Sequence, residues 1–217
     1  MNRRTCLGLI GWAAIEGSGP TALAHPHPEA DFEALFDGQS LAGWTAIGGE
    51  PGTWRAEGGV LSARRGKSWI STNRAYGDFD LRLNYRVERG GNSGVLLRAP
   101  HRGDPSFEGV EIQILDDDAP FYRDLKPEQY AGSVYGVIAA RRGATRAVGS
   151  WNRLGIKLEG AKIRVDLNGT RVVDARLDEH GWASKRHPGL ARPRGFVGLQ
   201  AHDTPVWFRD IAIKEIS

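Results

Sequence analysis

The chain has one cysteine, Cys6, and one methionine, Met1, in 217 residues. A single thiol excludes an intramolecular disulfide framework, and no His/Cys cluster has the spacing of a structural zinc site. There is no Gly-x-Ser-x-Gly elbow to carry a hydrolase triad. Long apolar runs are also missing. The uncharged apolar stretch near the start, Cys6 to Ile15, is too short for a stable membrane anchor, and no other segment is apolar enough to cross a membrane. The formal net charge is only +3, and the densest basic runs are Arg64-Arg65, Arg141-Arg142 and Arg192 to Arg194. Charges mixed in this way do not form the basic stripe that nucleic-acid binding needs, so no nucleic-acid partner is expected.

What is present at the amino terminus is a leader pattern. Arg3 and Arg4 precede the apolar stretch, and Ala22-Leu23-Ala24 places small residues where a signal peptidase reads. The arginine pair also suits twin-arginine export. Residues 1–24 are therefore expected to be a signal peptide and 25–31 a Pro/His linker. The folded domain is expected over 32–217, periplasmic or secreted, with no membrane segment in the mature form.

Glycine is plentiful, with 29 residues, and it punctuates strand-length segments rather than helical repeats. Phe79, Leu81, Leu83, Tyr85 and Val87 alternate with polar residues at the period of a half-buried strand. Trp54 to Leu61 turns at Gly58-Gly59. Further strands are expected at Ser68–Thr72, Ser93–Ala99, Gly109–Leu115, Ser133–Ile138, Gly195–Ala201 and Val206–Ile216. From Trp151 to Leu177 three strands run through two turns, and Asn168-Gly169 has the residues of a type I′ hairpin. The fold class is all-β, a two-sheet antiparallel β-sandwich. Asp116 to Tyr130 does not fit a strand and reads as a long loop.

An ordered series of short motifs then carries a resemblance. It begins with Leu35-Phe36-Asp37-Gly38, followed by Leu41, Gly43 and Trp44. Gly91-Asn92-Ser93-Gly94-Val95 follows with Arg98, then Glu111-Ile112-Gln113-Ile114 with Asp116, and Gly132 to Gly136 around Tyr135. Trp151-Asn152, Asn168-Gly169, Gly198-Leu199-Gln200 with His202, and Val206 to Ile211 complete it. Together these resemble the 3-keto-disaccharide hydrolase family. The resemblance implies a concanavalin A-like jelly roll whose concave sheet holds a glycoside with a ketone at C3. It also implies a functional link to an upstream sugar 3-oxidoreductase that makes that ketone. One departure is local: Ala131-Gly132-Ser133-Val134-Tyr135 stands where the family pattern is Thr-Gly-Ala-Leu-Tyr, which keeps the tyrosine and loses a hydroxyl.

Strand parity points to a site independently. Ile112 and Ile114 belong in a core, so Glu111 and Gln113 project from the opposite face. Asn92, Gly94, Leu96 and Arg98 share one parity, and Gln200 and His202 share another strand's outward face. Such side chains pair with sugar hydroxyls, although a merely solvated sheet face has the same pattern.

If the substrate carries a C3 ketone, the proton on C2 is acidified. Its removal lets the C1 substituent leave by elimination, and water then adds back. Glu111 is the candidate base. His202 is the candidate acid or second base, since its ionisation lies near neutral pH. Asn92, Arg98, Gln113 and Gln200 are candidates for substrate contacts. Trp207, between His202 and Arg209, is the candidate stacking ring. Arg209 either clamps substrate or holds an ion pair at the core edge, because its parity agrees with Ile211 and Ile213. Tyr135 either protonates the leaving group or makes a structural hydrogen bond.

Direct hydrolysis by Glu111 and Asp116 is the rival mechanism, though five residues along an unbroken strand would face them apart. The Asp116-Asp117-Asp118 run invites calcium but lacks the spaced ligands of an EF-hand. No cofactor is called for, although Glu111 with His202 leaves room for a divalent metal. A non-catalytic glycan-binding module on the same fold is the alternative function.

Overall fold

The computed structural model describes residues 31–216; the expected leader and most of the linker lie outside them. Two antiparallel sheets face each other. The first contains β1 (Glu33–Ala34), β3 (Trp54–Glu57), β4 (Val60–Ala63), β6 (Phe79–Val87), β9 (Asn152–Glu159), β10 (Lys162–Leu167), β11 (Thr170–Arg176) and β13 (Val206–Glu215). Its order is β11-β10-β9-β6-β13-β4-β3, and β1 pairs with β13. The second contains β2 (Trp44–Ile47), β5 (Ser68–Tyr76), β7 (Asn92–Ala99), β8 (Val110–Leu115) and β12 (Gly195–Ala201). Its order is β2-β5-β12-β7-β8. A short helix, α1 (Pro105–Glu108), connects β7 to β8.

The alternation in sequence becomes the core between the sheets. Leu81, Leu83 and Tyr85 of β6 and Leu154, Ile156 and Leu158 of β9 supply one wall. Val95 and Leu97 of β7, Ile112 and Ile114 of β8 and Val197 and Leu199 of β12 supply the other. Burying such side chains gains roughly 1.5–3 kcal/mol each, which is what commits every strand to one facing. Asn168 and Gly169 have φ of 52° and 84°, so the β10–β11 turn takes the two left-handed residues that a type I′ hairpin requires.

Three local features depart from the alternation. In β7 the partners of Phe196 and Gly198 are Ala99 and Leu96, so β7 holds one extra residue, and Arg98 takes φ of 48°. In β13 the partners of Asn84 and Arg82 are Arg209 and Ala212, again one extra residue, with Asp210 at φ 53°. The third is Ser133–Ile138, which forms no strand. Only Val134 pairs, with Ile112 and with Ile138, because Gly132 and Gly136 both have positive φ and end the extended run on either side.

Asp116–Tyr130 is a loop, as its composition implies, with 3-10 turns at Pro120–Tyr122 and Pro127–Gln129. Its acidic start is structural. Asp116 Oδ2 accepts the Gly90 N–H at 2.7 Å, and Asp117 Oδ1 accepts the Ala131 N–H at 2.9 Å.

Candidate functional site

The second sheet has a face turned away from the core, and a small apolar cluster of Trp69, Leu96 and Ala99, with Ile47 against it, lies there. That Leu96 and Ala99 share a face although three residues apart is the direct effect of the β7 bulge. The register places the polar residues around this cluster. Glu111 pairs with Leu96, Gln113 with Gly94, and Gln200 with Trp69.

Two glycines make this face a hollow. A Cβ on Gly94 would collide with the Glu111 carboxylate, so the carboxylate leans over β7. A Cβ on Gly198 would come within 2.7 Å of the Trp69 ring, so the indole lies over β12. Trp69 and Glu111, on strands separated by β12 and β7, thus lean inward from the two flanks.

Glu111 is only 4% exposed. Burial pushes its carboxyl up to about 7, with the nearby Asp104 charge adding to the shift and a hydrogen bond from the Ser106 hydroxyl opposing it. Helix α1 supplies that hydroxyl: Asp104 caps it by accepting the Ser106 N–H at 3.0 Å, and Pro105 fixes its first residue. Gln200 Nε2 donates to Ser106 Oγ at 3.3 Å. Glu111, Ser106 and Gln200 therefore form one connected group drawn from β8, α1 and β12. A carboxyl held near neutrality beside amide donors is equipped to take up and release a proton.

The other candidates divide cleanly. Gln113 is buried on the same strand face as Glu111. Tyr135 stands next to Glu111 across the edge of β8, its N–H donating to the Glu111 carbonyl at 2.9 Å and its hydroxyl accepting from Gln129 Nε2 at 3.2 Å. Asn92 opens β7, with its side chain hydrogen-bonded to the Tyr122 hydroxyl and its N–H donating to Thr204 Oγ1 at 3.1 Å. His202 follows β12 directly, two residues beyond Gln200. It is half-buried, with Nδ1 3.1 Å from Asp203 Oδ2.

The substrate-site expectations for Arg98, Trp207, Arg209 and Asp116 are corrected. Arg98 does not join the outer face, because the bulge turns it sideways between the sheets. There it is 3% exposed and donates to the carbonyls of Gly77, Gly160 and Arg192, while Nη2 pairs with Asp78 at 2.6 Å. It is a structural tie. Trp207 and Arg209 lie on the opposite sandwich face, the outer surface of the first sheet. There Arg86 stacks over Trp207 at 4.5 Å and Arg209 over Trp151 at 4.3 Å. The β13 bulge breaks the parity that linked Arg209 to Ile211 and Ile213, which are core residues. Asp116 is likewise committed to backbone N–H groups, which removes it as the second carboxylate of a direct hydrolysis.

His101 was missed. It stacks on Phe196 with centroids 3.6 Å apart, meets the edge of Trp69 and makes a 2.8 Å hydrogen bond with Ser71. It sits in an irregular segment where no periodicity marks it. Ser106 was missed for the same reason, although Asp104-Pro105 carries a readable helix-start signal. Among the described residues no three His, Cys, Asp or Glu side chains gather as a metal-binding group.

Comparison with known proteins agrees with this architecture. A 3-keto-disaccharide hydrolase of Bacteroides thetaiotaomicron is 25% identical over 245 residues, covering 93% of this chain and 84% of that protein. A solved Parabacteroides distasonis structure, described as a candidate glycosyl hydrolase, is 30% identical with a TM-score of 0.75. It covers 85% of this chain and 99% of its own. The Bacillus subtilis carbohydrate binding module CBM66, 17% identical at a TM-score of 0.57 over 80% of this chain and 96% of its own, shares the fold alone. The sandwich is thus a concanavalin-like jelly roll. The 3-keto-alpha-glucoside-1,2-lyase-like domain matches residues 31–214, nearly everything the two sheets contain, and the chain belongs to that family.

Proposed function

We propose that the chain is an exported enzyme that cleaves the glycosidic bond of 3-keto-glycosides, with Glu111 as the base at C2. The single observation that carries this reading is a buried carboxyl, held near neutrality, on the hollow face of the second sheet beside Ser106 and Gln200. Family membership and the name of the curated relative support a carbohydrate-active enzyme acting on a 3-keto sugar.

The chemistry follows from the ketone. Glu111 takes the C2 proton, and the C2–H electron pair moves into an enolate whose negative charge rests on the C3 oxygen. The amides of Gln113, Gln200 and Asn92 are the donors available to that oxygen. Collapse of the enolate breaks the C1–O bond, and the departing oxygen takes a proton from His202 or Tyr135. Addition of water across the resulting C1=C2 bond returns a proton to C2 and leaves a 3-keto sugar with a free C1 hydroxyl. Trp69 supplies an apolar wall for the ring. An upstream sugar 3-oxidoreductase must generate the substrate, because without the ketone the C2 proton is not acidic.

The reading is tested by incubating the protein with 3-keto-glucosides and with their unoxidised parents. Release of the leaving group from the oxidised sugars alone supports it; release from the unoxidised sugars alone overturns it. The shared fold with a carbohydrate binding module favours a second reading, a glycan-binding domain without turnover. Saturable sugar binding with no product under any of these conditions would establish that instead.

A further inference from the structure

A cavity of about 400 Å³ opens beside the hollow, lined by Phe107, Lys126, Gln129, Tyr135, Trp182 and Arg186, among others. Its size is that of a small-molecule site. Trp182 is 71% exposed, an indole left largely in water. The Phe107 and Tyr135 rings are tilted at 57° with centroids 6.4 Å apart, and the Arg186 guanidinium lies 5.3 Å over the Phe107 ring. Aromatic faces among charged and amide side chains are the chemistry that holds a pyranose, whose C–H faces are apolar and whose edge is hydroxyl.

Two hydrogen bonds to Glu111 tie this cavity to the proposed base. Phe107 follows Ser106, whose hydroxyl meets the Glu111 carboxylate. Tyr135 gives its N–H to the Glu111 carbonyl and its ring to the cavity wall. The leaving oxygen on C1 is two bonds from C2, which brings the ring it carries within reach of the residues that flank the group removing the C2 proton. We infer that this cavity is the subsite for the second sugar ring of a 3-keto-disaccharide, with Trp182 as its stacking platform. The inference rests on Glu111 as the base.

The test compares a 3-keto-disaccharide with methyl 3-keto-glucoside, which lacks the second ring. The ratio of their kcat/KM values is measured in the wild type, Trp182→Ala and Trp182→Phe. The expected result is a fall of about 10-fold in that ratio for Trp182→Ala, the scale of one lost ring stack, with substantial recovery in Trp182→Phe. An unchanged ratio in Trp182→Ala overturns the subsite. Calorimetric titration with the unoxidised disaccharide gives a readout independent of turnover. Weaker binding in Trp182→Ala than in the wild type supports the subsite; equal binding, or none in the wild type, overturns it. If the wild type turns over neither 3-keto-glycoside, the proposed activity falls and the subsite with it, whereas an unchanged ratio in an active enzyme overturns the subsite alone.

Discussion

Burial governs how Glu111 behaves. Its carboxyl titrates near 7 in the folded chain and near 4.5 in the unfolded one, so between those values the folded state holds more protons. The stability it contributes is complete below pH 4.5 and is lost as pH rises to about 7. Above that, the buried charge costs up to about 3 kcal/mol. Glu111→Gln, which never ionises, should therefore raise the melting temperature at pH 8 and change it much less at pH 5. Calorimetric scans at the two pH values measure this, and an equal effect at both would contradict the burial argument. The same variant should lose at least about 100-fold in turnover while still binding substrate, because an amide keeps the shape and the hydrogen bonds but cannot accept the proton. A gain in stability joined to a loss of turnover is the signature of a strained functional group.

Strands set where these side chains go, and the bulges in two of them decide which parity arguments hold. Glu111 and Gln113 were legible because β8 is regular: two isoleucines commit one face to the core and leave the other to the carboxyl and the amide. Arg98 was misread because the extra residue in β7 falls at Arg98 itself, and nothing in Leu97-Arg98-Ala99 advertises a left-handed arginine. Of the two readings open for Arg209 the ion pair stands, with Nε 3.3 Å from Asp210 Oδ2; only its parity with Ile211 and Ile213 fails, because the extra residue in β13 falls at Asp210.

The correction has consequences. Arg98→Ala strips the hydrogen bonds from three carbonyls and unpairs Asp78, and should destabilise the fold by roughly 2–4 kcal/mol in chemical denaturation. The KM of whatever remains folded should not change; a raised KM with normal stability would return Arg98 to the site. Gly94→Ala acts in the opposite manner. Its methyl group occupies the space of the Glu111 carboxylate, so turnover should fall by about 10-fold or more through displacement of the base. Unaltered turnover would show that Glu111 is free to move without cost.

The two outer faces of the sandwich now have separate characters. The second sheet carries the hollow with Trp69, Glu111 and Gln200. The first carries stacked Arg and Trp side chains and paired surface charges such as Arg82 with Asp80 and Lys157 with Glu159. The sandwich itself could be read from alternation and turns, because core burial imposes period two on nearly every strand. The assignment of β13 to the other sheet could not. Pairing of β13 with β6 and β4 rather than with β12, its neighbour in sequence, depends on long-range register that one strand's pattern does not encode. Placing Trp207 near His202 followed from closeness along the chain, and the crossing between sheets at residues 202–205 undid it. Trp207→Ala should accordingly leave KM for a 3-keto-glycoside unchanged, and an increase of about 5-fold or more would mean that substrate reaches the first sheet.

The most direct measurement is the pH dependence of kcat/KM on a 3-keto-glucoside for the wild type and Glu111→Gln. A base held near neutrality predicts a wild-type rate that climbs with pH, bends near 7 and then levels. In the variant the rate should be lower by at least about 100-fold and should lack that bend. A wild-type profile flat from pH 5 to 8, or a variant that keeps both the rate and the bend, would contradict the account.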